Sequence, residues 1–138
     1  MRFKWGPELA TNIPALDEHH EGIFDCINDF FRKCDEDGGT KEVIALLDAL
    51  DRYARKHFSY EEALQRMNKY AGLEDQQEQH AAFLADLAEL KNTLESSGPT
   101  RELTVVAKGK LIRWLSHHIK TRDKEFVDFL NNRTEVQV

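Results

Sequence analysis

A chain of 138 residues is long enough to bury one core without disulfides or a partner subunit, so a single domain over 1–138 is expected. Its formal net charge of −6 supplies no basic face for phosphates and argues against nucleic-acid binding. No apolar run approaches the roughly 20 residues that span a bilayer, and Met1–Pro7 has no apolar signal core, so a cytoplasmic protein that engages no membrane is expected.

Pro7 and Pro14 break up an N-terminal arm, residues 1–16, that includes Trp5 and Ile13. A first helix is expected from about Asp17, its N-cap, to about Asp35, because Leu16, His20, Ile23, Phe24, Ile27, Phe31 and Cys34 recur at helical spacing. Cys26 and Cys34 lie in it roughly 12 Å apart along the axis, too far to bridge. They read as small apolar side chains in a reducing compartment. Gly38-Gly39 ends this helix, and Thr40 is placed to cap a second one running to about Tyr70. Leu47, Leu50, Ala54, His57, Glu61 and Leu64 trace its inner stripe.

Ala71-Gly72 makes a short turn into a third helix, whose inner positions are Gln76, His80, Phe83, Leu84, Leu87, Leu90 and Leu94. Gly98-Pro99 stops it, and Thr100 can cap a fourth helix from about Arg101 to Leu130. Leu111, Trp114, Leu115, His118 and Phe126 are among its inward positions, and residues 132–138 read as a tail. No segment alternates as a strand does. Four long amphipathic helices with short connections specify an all-α, antiparallel up-down-up-down four-helix bundle over 17–131 behind the arm.

The turns set heights within such a bundle. His20 and His57 are equally far from the turn between Gly38 and Gly39. The position that mirrors His80 across the turn between Gly98 and Pro99 is next to His118. Across Ala71-Gly72, His80 mirrors Ala63, two residues or roughly 3 Å from Glu61. Glu61 also stacks above His57, four residues earlier on the same face. Four imidazoles and a carboxylate from four helices thus converge on one layer. A single buried histidine is ordinarily a hydrogen-bonded core residue, and His19 and His117 are left to that role or to the surface. Five such groups at one height are costly to bury unpaired, and a metal satisfies them together. Imidazoles with carboxylates and no usable thiolate suit iron, and less well zinc or manganese. Asp123 is a sixth candidate; it follows His118 by five residues, about 140° around an ideal helix, so both face the site only if it is broad, as with two metals bridged by carboxylates.

At this point the residues resemble the hemerythrin family, in particular its single-domain bacterial members, over nearly the whole chain. Trp5, Ile13-Pro14-Ala15-Leu16-Asp17-Glu18-His19-His20 and Ile27-Asn28 follow its N-terminal pattern; His57-Phe58-Ser59-Tyr60-Glu61-Glu62 is its second-helix motif. Trp114-Leu115-Ser116-His117-His118-Ile119-Lys120-Thr121-Arg122-Asp123 matches its fourth-helix motif, five-residue step included. The resemblance implies a four-helix bundle around two iron ions joined by an oxo or hydroxo bridge. It casts His20 and His57 as terminal ligands of one iron, His80 and His118 as ligands of the other, and Glu61 and Asp123 as bridging carboxylates. O2 binds at the first iron in the family, and small exogenous ligands such as azide or peroxide are implied alongside it. Ile23, Phe24 and Trp114 are candidate pocket walls.

The departure is Gln76, where the family has a further histidine ligand. A glutamine oxygen is a weak, neutral ligand, and Asp75 and Gln77 point about 100° away on the helix and cannot replace it. Gln76 can ligate weakly, hold a water in the histidine's place, or leave the second metal site weak. Ala71 and Gln65, where the family often has proline and methionine, are smaller departures. The function expected is oxygen binding by a di-iron centre, for storage, delivery or sensing, with reactivity altered at Gln76. A di-iron peroxidase- or oxidase-like enzyme is the alternative, and a metal-poor interaction module a third.

Overall fold

A computed structural model describes residues 6–36 and 39–136, apart from the side chains of Glu8 and residues 133–136. Among the described residues all regular structure is helical. α1 (Pro14–Asp35), α2 (Thr40–Met67), α3 (Leu73–Ser97) and α4 (Arg101–His118) run up and down in turn, and α5 (Lys124–Val136) continues α4 beyond a π-helical turn, Ile119–Asp123. The four-helix bundle expected from the sequence is the fold observed. Trp5 and Gly38 lie outside the described residues.

The boundaries differ from expectation for identifiable reasons. α1 begins at Pro14, whose fixed φ and missing N–H suit the first helical turn, and not at Asp17. The Asp17 carboxylate instead accepts from Thr11 N (2.7 Å), Thr11 Oγ1 (2.8 Å) and Asn12 N (3.2 Å), tying the arm to the first turn. Asn12 turns the chain there at φ 67°, a left-handed conformation that asparagine tolerates. The arm's 3-10 turn, Pro7–Leu9, sends Leu9 into the core.

Thr40 is the first residue of α2 and not its cap. The extended cap residue is Gly39, and no side chain caps this end. α2 stops at Met67, short of Tyr70, in a Schellman arrangement. Lys69 is left-handed (φ 53°), Tyr70 N–H donates to Gln65 O at 2.9 Å, and Lys69 N–H donates to Arg66 O at 3.1 Å. The α3–α4 corner is as expected: Gly98 (φ 74°) ends α3 through its N–H to Leu94 O, and Thr100 Oγ1 accepts from Leu103 N at 3.2 Å. The stretch expected as a tail from residue 132 stays helical through Val136.

The core runs the length of the bundle, from Val43, Phe31, Leu94 and Ala107 near one end to Phe58, Phe83 and Ile119 around the polar layer. Cys26 and Cys34 are free thiols, and burial raises the pKa of each, as befits inert apolar positions. The inner stripe of α2 departs from expectation in one place: Leu64 is half-buried and Gln65 is fully buried in its stead. Leu84 and Trp114 are likewise half-buried, on the shoulders of their stripes.

Candidate metal centre

Five helical segments carry the polar layer. α1 supplies His20, α2 His57 and Glu61, α3 Gln76 and His80, α4 His118, and the π-turn Asp123. All seven side chains are at most 2% exposed. The π-turn explains how His118 and Asp123 face the same volume. Its i→i+5 bond, Lys124 N–H to Ile119 O, closes the circuit one residue later than an α-turn, so a five-residue step returns to nearly the same face. No unusually broad site is needed to reconcile them.

The layer divides into two clusters that share both carboxylates. Glu61 Oε2 lies 3.4 Å from His57 Nε2 and 3.9 Å from His20 Nε2, while Asp123 Oδ2 lies 3.1 Å from His20 Nε2. On the other side, Glu61 Oε1 lies 3.1 Å from His80 Nε2 and 4.0 Å from His118 Nε2, and Asp123 Oδ1 lies 3.3 Å from His118 Nε2. Each carboxylate therefore directs one oxygen to each histidine pair. The donor atoms of His20, His57 and Glu61 fall within 4.8 Å of one another, as do those of Glu61, His80 and His118.

Several of these approaches are close without being hydrogen bonds. Glu61 Oε2 and Asp123 Oδ2 are buried and make no hydrogen bond among the described residues. Carboxylate oxygens left without a hydrogen bond among converging imidazoles suit a cation between them. Without a metal, charge on the imidazoles substitutes in part. Burial depresses the His20 imidazole pKa, but the Asp123 and Glu61 carboxylates outweigh it and the net shift is upward. His80 follows the same pattern, with Glu61 and Glu62 overcoming burial. Burial would raise the Asp123 carboxyl, yet His118 and His20 hold it well below the ordinary carboxylate range.

Gln76 reaches the second cluster, but as a donor. Its Nε2 lies 3.2 Å from Asp123 Oδ1, and its Oε1 has no partner among the described residues. A half-turn of the amide would exchange the two atoms. Asp75 points away, as the helix geometry requires, and its carboxylate takes Arg122 Nε at 2.7 Å.

Glu62, His19 and Phe58, which the sequence did not single out as site residues, and Trp114, a candidate pocket wall, make contacts around the clusters. Glu62 Oε2 lies 2.7 Å from His80 Nδ1, leaving that ring's Nε2 for the cluster. His19 Nδ1 meets His57 Nδ1 at 3.0 Å and packs edge-on against Tyr60. Phe58 stacks on His80 at 4.0 Å and 6°, and Trp114 stacks on His118 at 4.7 Å and 9°. The sequence signals for Glu62 are its place in the His57–Glu62 motif and its position next to Glu61, on the face turned toward α3. Ile23 and Phe24 are buried in the core, and His117 is exposed.

A helical bundle whose core gathers two histidine pairs around two shared carboxylates defines a helical metal-binding domain. The chain belongs to the hemerythrin family: the Hemerythrin HHE cation binding domain matches residues 11–130. It is similar to the bacteriohemerythrin of Pseudomonas aeruginosa strain UCBPP-PA14, 28% identical over 125 residues, covering 90% of this chain and 78% of that one. The myohemerythrin of Sipunculus nudus is 27% identical over 128 residues, covering 90% of each. The bacteriohemerythrin of Methylococcus capsulatus is 27% identical over 117 residues, covering 85% and 87%. Among the described residues no helix is long and apolar enough to cross a membrane.

Proposed function

We propose that the chain is a non-haem di-iron protein that binds O2, with a second iron site altered by Gln76. The observation that carries this reading is the placement of one oxygen from each of Glu61 and Asp123 at each histidine pair. His20 and His57 would hold one iron, His80 and His118 the other, with Glu61 and Asp123 bridging. An iron pair bound there supplies the two electrons that O2 binding draws on. The chain does the rest. Glu62 orients His80 and raises its basicity from outside the cluster, as outer carboxylates do for metal-bound imidazoles. The Phe58 and Trp114 rings cover the faces of His80 and His118 and exclude water from that side.

One observation favours a second reading, a peroxidase- or oxidase-like di-iron enzyme. With Gln76 turned to Asp123, each cluster has two imidazoles and two carboxylate oxygens, so neither site is closed by a third imidazole. Metal analysis, with visible absorption before and after O2 is added to the reduced protein, separates the readings. Two irons per chain and a colour that reverses on removal of O2 support the carrier. An irreversible colour with peroxide turnover supports the enzyme, and fewer than one metal per chain refutes both.

A further inference from the structure

The contact between Glu61 Oε1 and His80 Nε2 at 3.1 Å fixes the register of the antiparallel helices α2 and α3. One turn from Glu61 toward the connecting loop is Gln65, and one turn from His80 toward the same loop is Gln76. Each step is about 6 Å, so the two glutamines stand level, both on inner faces and at most 1% exposed. Gln65 Nε2, Gln65 Oε1 and Gln76 Oε1 have no hydrogen-bond partner among the described residues. The Tyr70, Phe126 and Phe129 rings, in contact with one another, close this end of the bundle.

A buried amide atom without a partner is expensive, and two buried glutamines carrying three such atoms at one level are not explained by packing. Buried water resolves situations of this kind where a site is polar and offers two or more partners. We propose that Gln65 and Gln76 together hold one water molecule beside Asp123, on the floor of the His80–His118 cluster. The water donates to Gln76 Oε1 and accepts from Gln65 Nε2. Its remaining hydrogen or lone pair faces the cluster. Gln65 is thereby a binding residue and not a misplaced core residue. That this water also completes the second metal's ligand set rests on the di-iron reading; its sharing by the two amides does not.

The test is a double-substitution cycle in the metal-free protein, with Gln65→Met and Gln76→Met, alone and together, followed by thermal unfolding. Methionine keeps the length and unbranched shape and removes the amide. If the amides share a water, Gln65→Met strands Gln76 Oε1 and lowers Tm by about 5 °C, and the double variant loses clearly less than the sum of the singles. If Gln65 Nε2 and Oε1 are merely unpaired, Gln65→Met relieves them. Tm then rises or stays level, or the two effects add, and any of these overturns the proposal. A high-resolution crystal structure of the wild-type protein gives an answer that does not depend on the variants' folding. Ordered density within hydrogen-bond distance of both amides supports the shared water; a dry gap or a direct amide–amide bond refutes it. Coupled substitutions in a protein that takes up no iron would sink the di-iron reading alone. Additive substitutions in a protein with two irons would sink the shared water alone.

Discussion

Replacing Gln76 by histidine restores the donor that the second cluster lacks, and its effect can be worked out from the geometry. The Gln76 amide already reaches within 3.2 Å of Asp123 Oδ1, so an imidazole from the same backbone position enters the space between Asp123, His80 and His118. Outer-shell partners of metal ligands alone are worth about 10–100-fold in affinity. A direct imidazole ligand should therefore tighten the second iron by at least about that factor, or about 1.4–2.7 kcal/mol. For a chain of this size, at about 3–4 °C per kcal/mol, the iron-saturated variant should melt about 4–11 °C above the iron-saturated parent. The metal-free forms should differ far less, because an imidazole can donate to Asp123 Oδ1 as the amide does. The assay is a chelator competition resolving two binding steps, paired with scanning calorimetry of loaded and metal-free protein. An open second iron also predicts slower autoxidation of the reduced, oxygen-exposed variant. Unchanged affinity at the weaker site and an unchanged autoxidation rate would together refute the idea that Gln76 governs the second site.

Glu62→Gln removes the carboxylate 2.7 Å from His80 Nδ1 and should weaken one of two iron-binding steps by about 10–100-fold; equal loss at both steps would count against the assigned role. The metal-free protein should have a stability maximum on the acid side of neutrality. The raised pKa of His20 and of His80 contributes stability that is complete below about pH 6.5 and is lost as pH climbs through the raised values. Depressed Asp123 contributes stability that is present above about pH 3.9 and is lost on further acidification. A metal-free Tm that does not fall between pH 6 and pH 8 contradicts this, as does a metal-induced rise in Tm that fails to grow over the same range. Phe83, fully buried between Phe58 and Trp114, should cost about 3–5 kcal/mol when cut to alanine, lowering Tm by about 9–20 °C.

The parts of this protein that could be read from its sequence are those set by helical periodicity and by turn chemistry. Gly98 and Thr100 mark the α3–α4 corner because a positive φ and a hydroxyl cap leave residue-level signatures. Turn counting placed His20, His57, Glu61, His80 and His118 in one layer because antiparallel helices joined by short loops share their heights. Where the reading failed, chemistry competed with geometry. Apolar Leu64 reads as the inner-stripe residue, yet the step from His57 through Glu61 leads to Gln65. An ideal helix separates His118 and Asp123 by about 140°, and nothing in Ile119–Arg122 announces the π-turn that brings them together. Glu62 and His19 act through neighbours on other helices, which no single-helix pattern displays.

The proposed ligand set has a consequence for how the two irons differ. With histidine at position 76, as the family resemblance has it, three imidazoles on one iron against two on the other would distinguish them by ligand count. Here each pair is served by two imidazoles and by one oxygen from each of two carboxylates, so ligand count no longer separates them. Apart from the Gln76 amide and the water proposed beside it, which stand at the second cluster only, the remaining differences lie one layer out. His80 is backed by the Glu62 carboxylate, and His57 is backed by the His19 imidazole, whose pKa burial and the neighbouring His57 push down. An anionic partner makes a ligating imidazole a stronger donor than a neutral partner does. In the proposed di-iron centre, the iron held by His80 and His118 would therefore be the more electron-rich of the two. Glu62→Gln then removes the outer-layer part of that asymmetry, whereas Gln76→His restores a difference in the ligand shell itself.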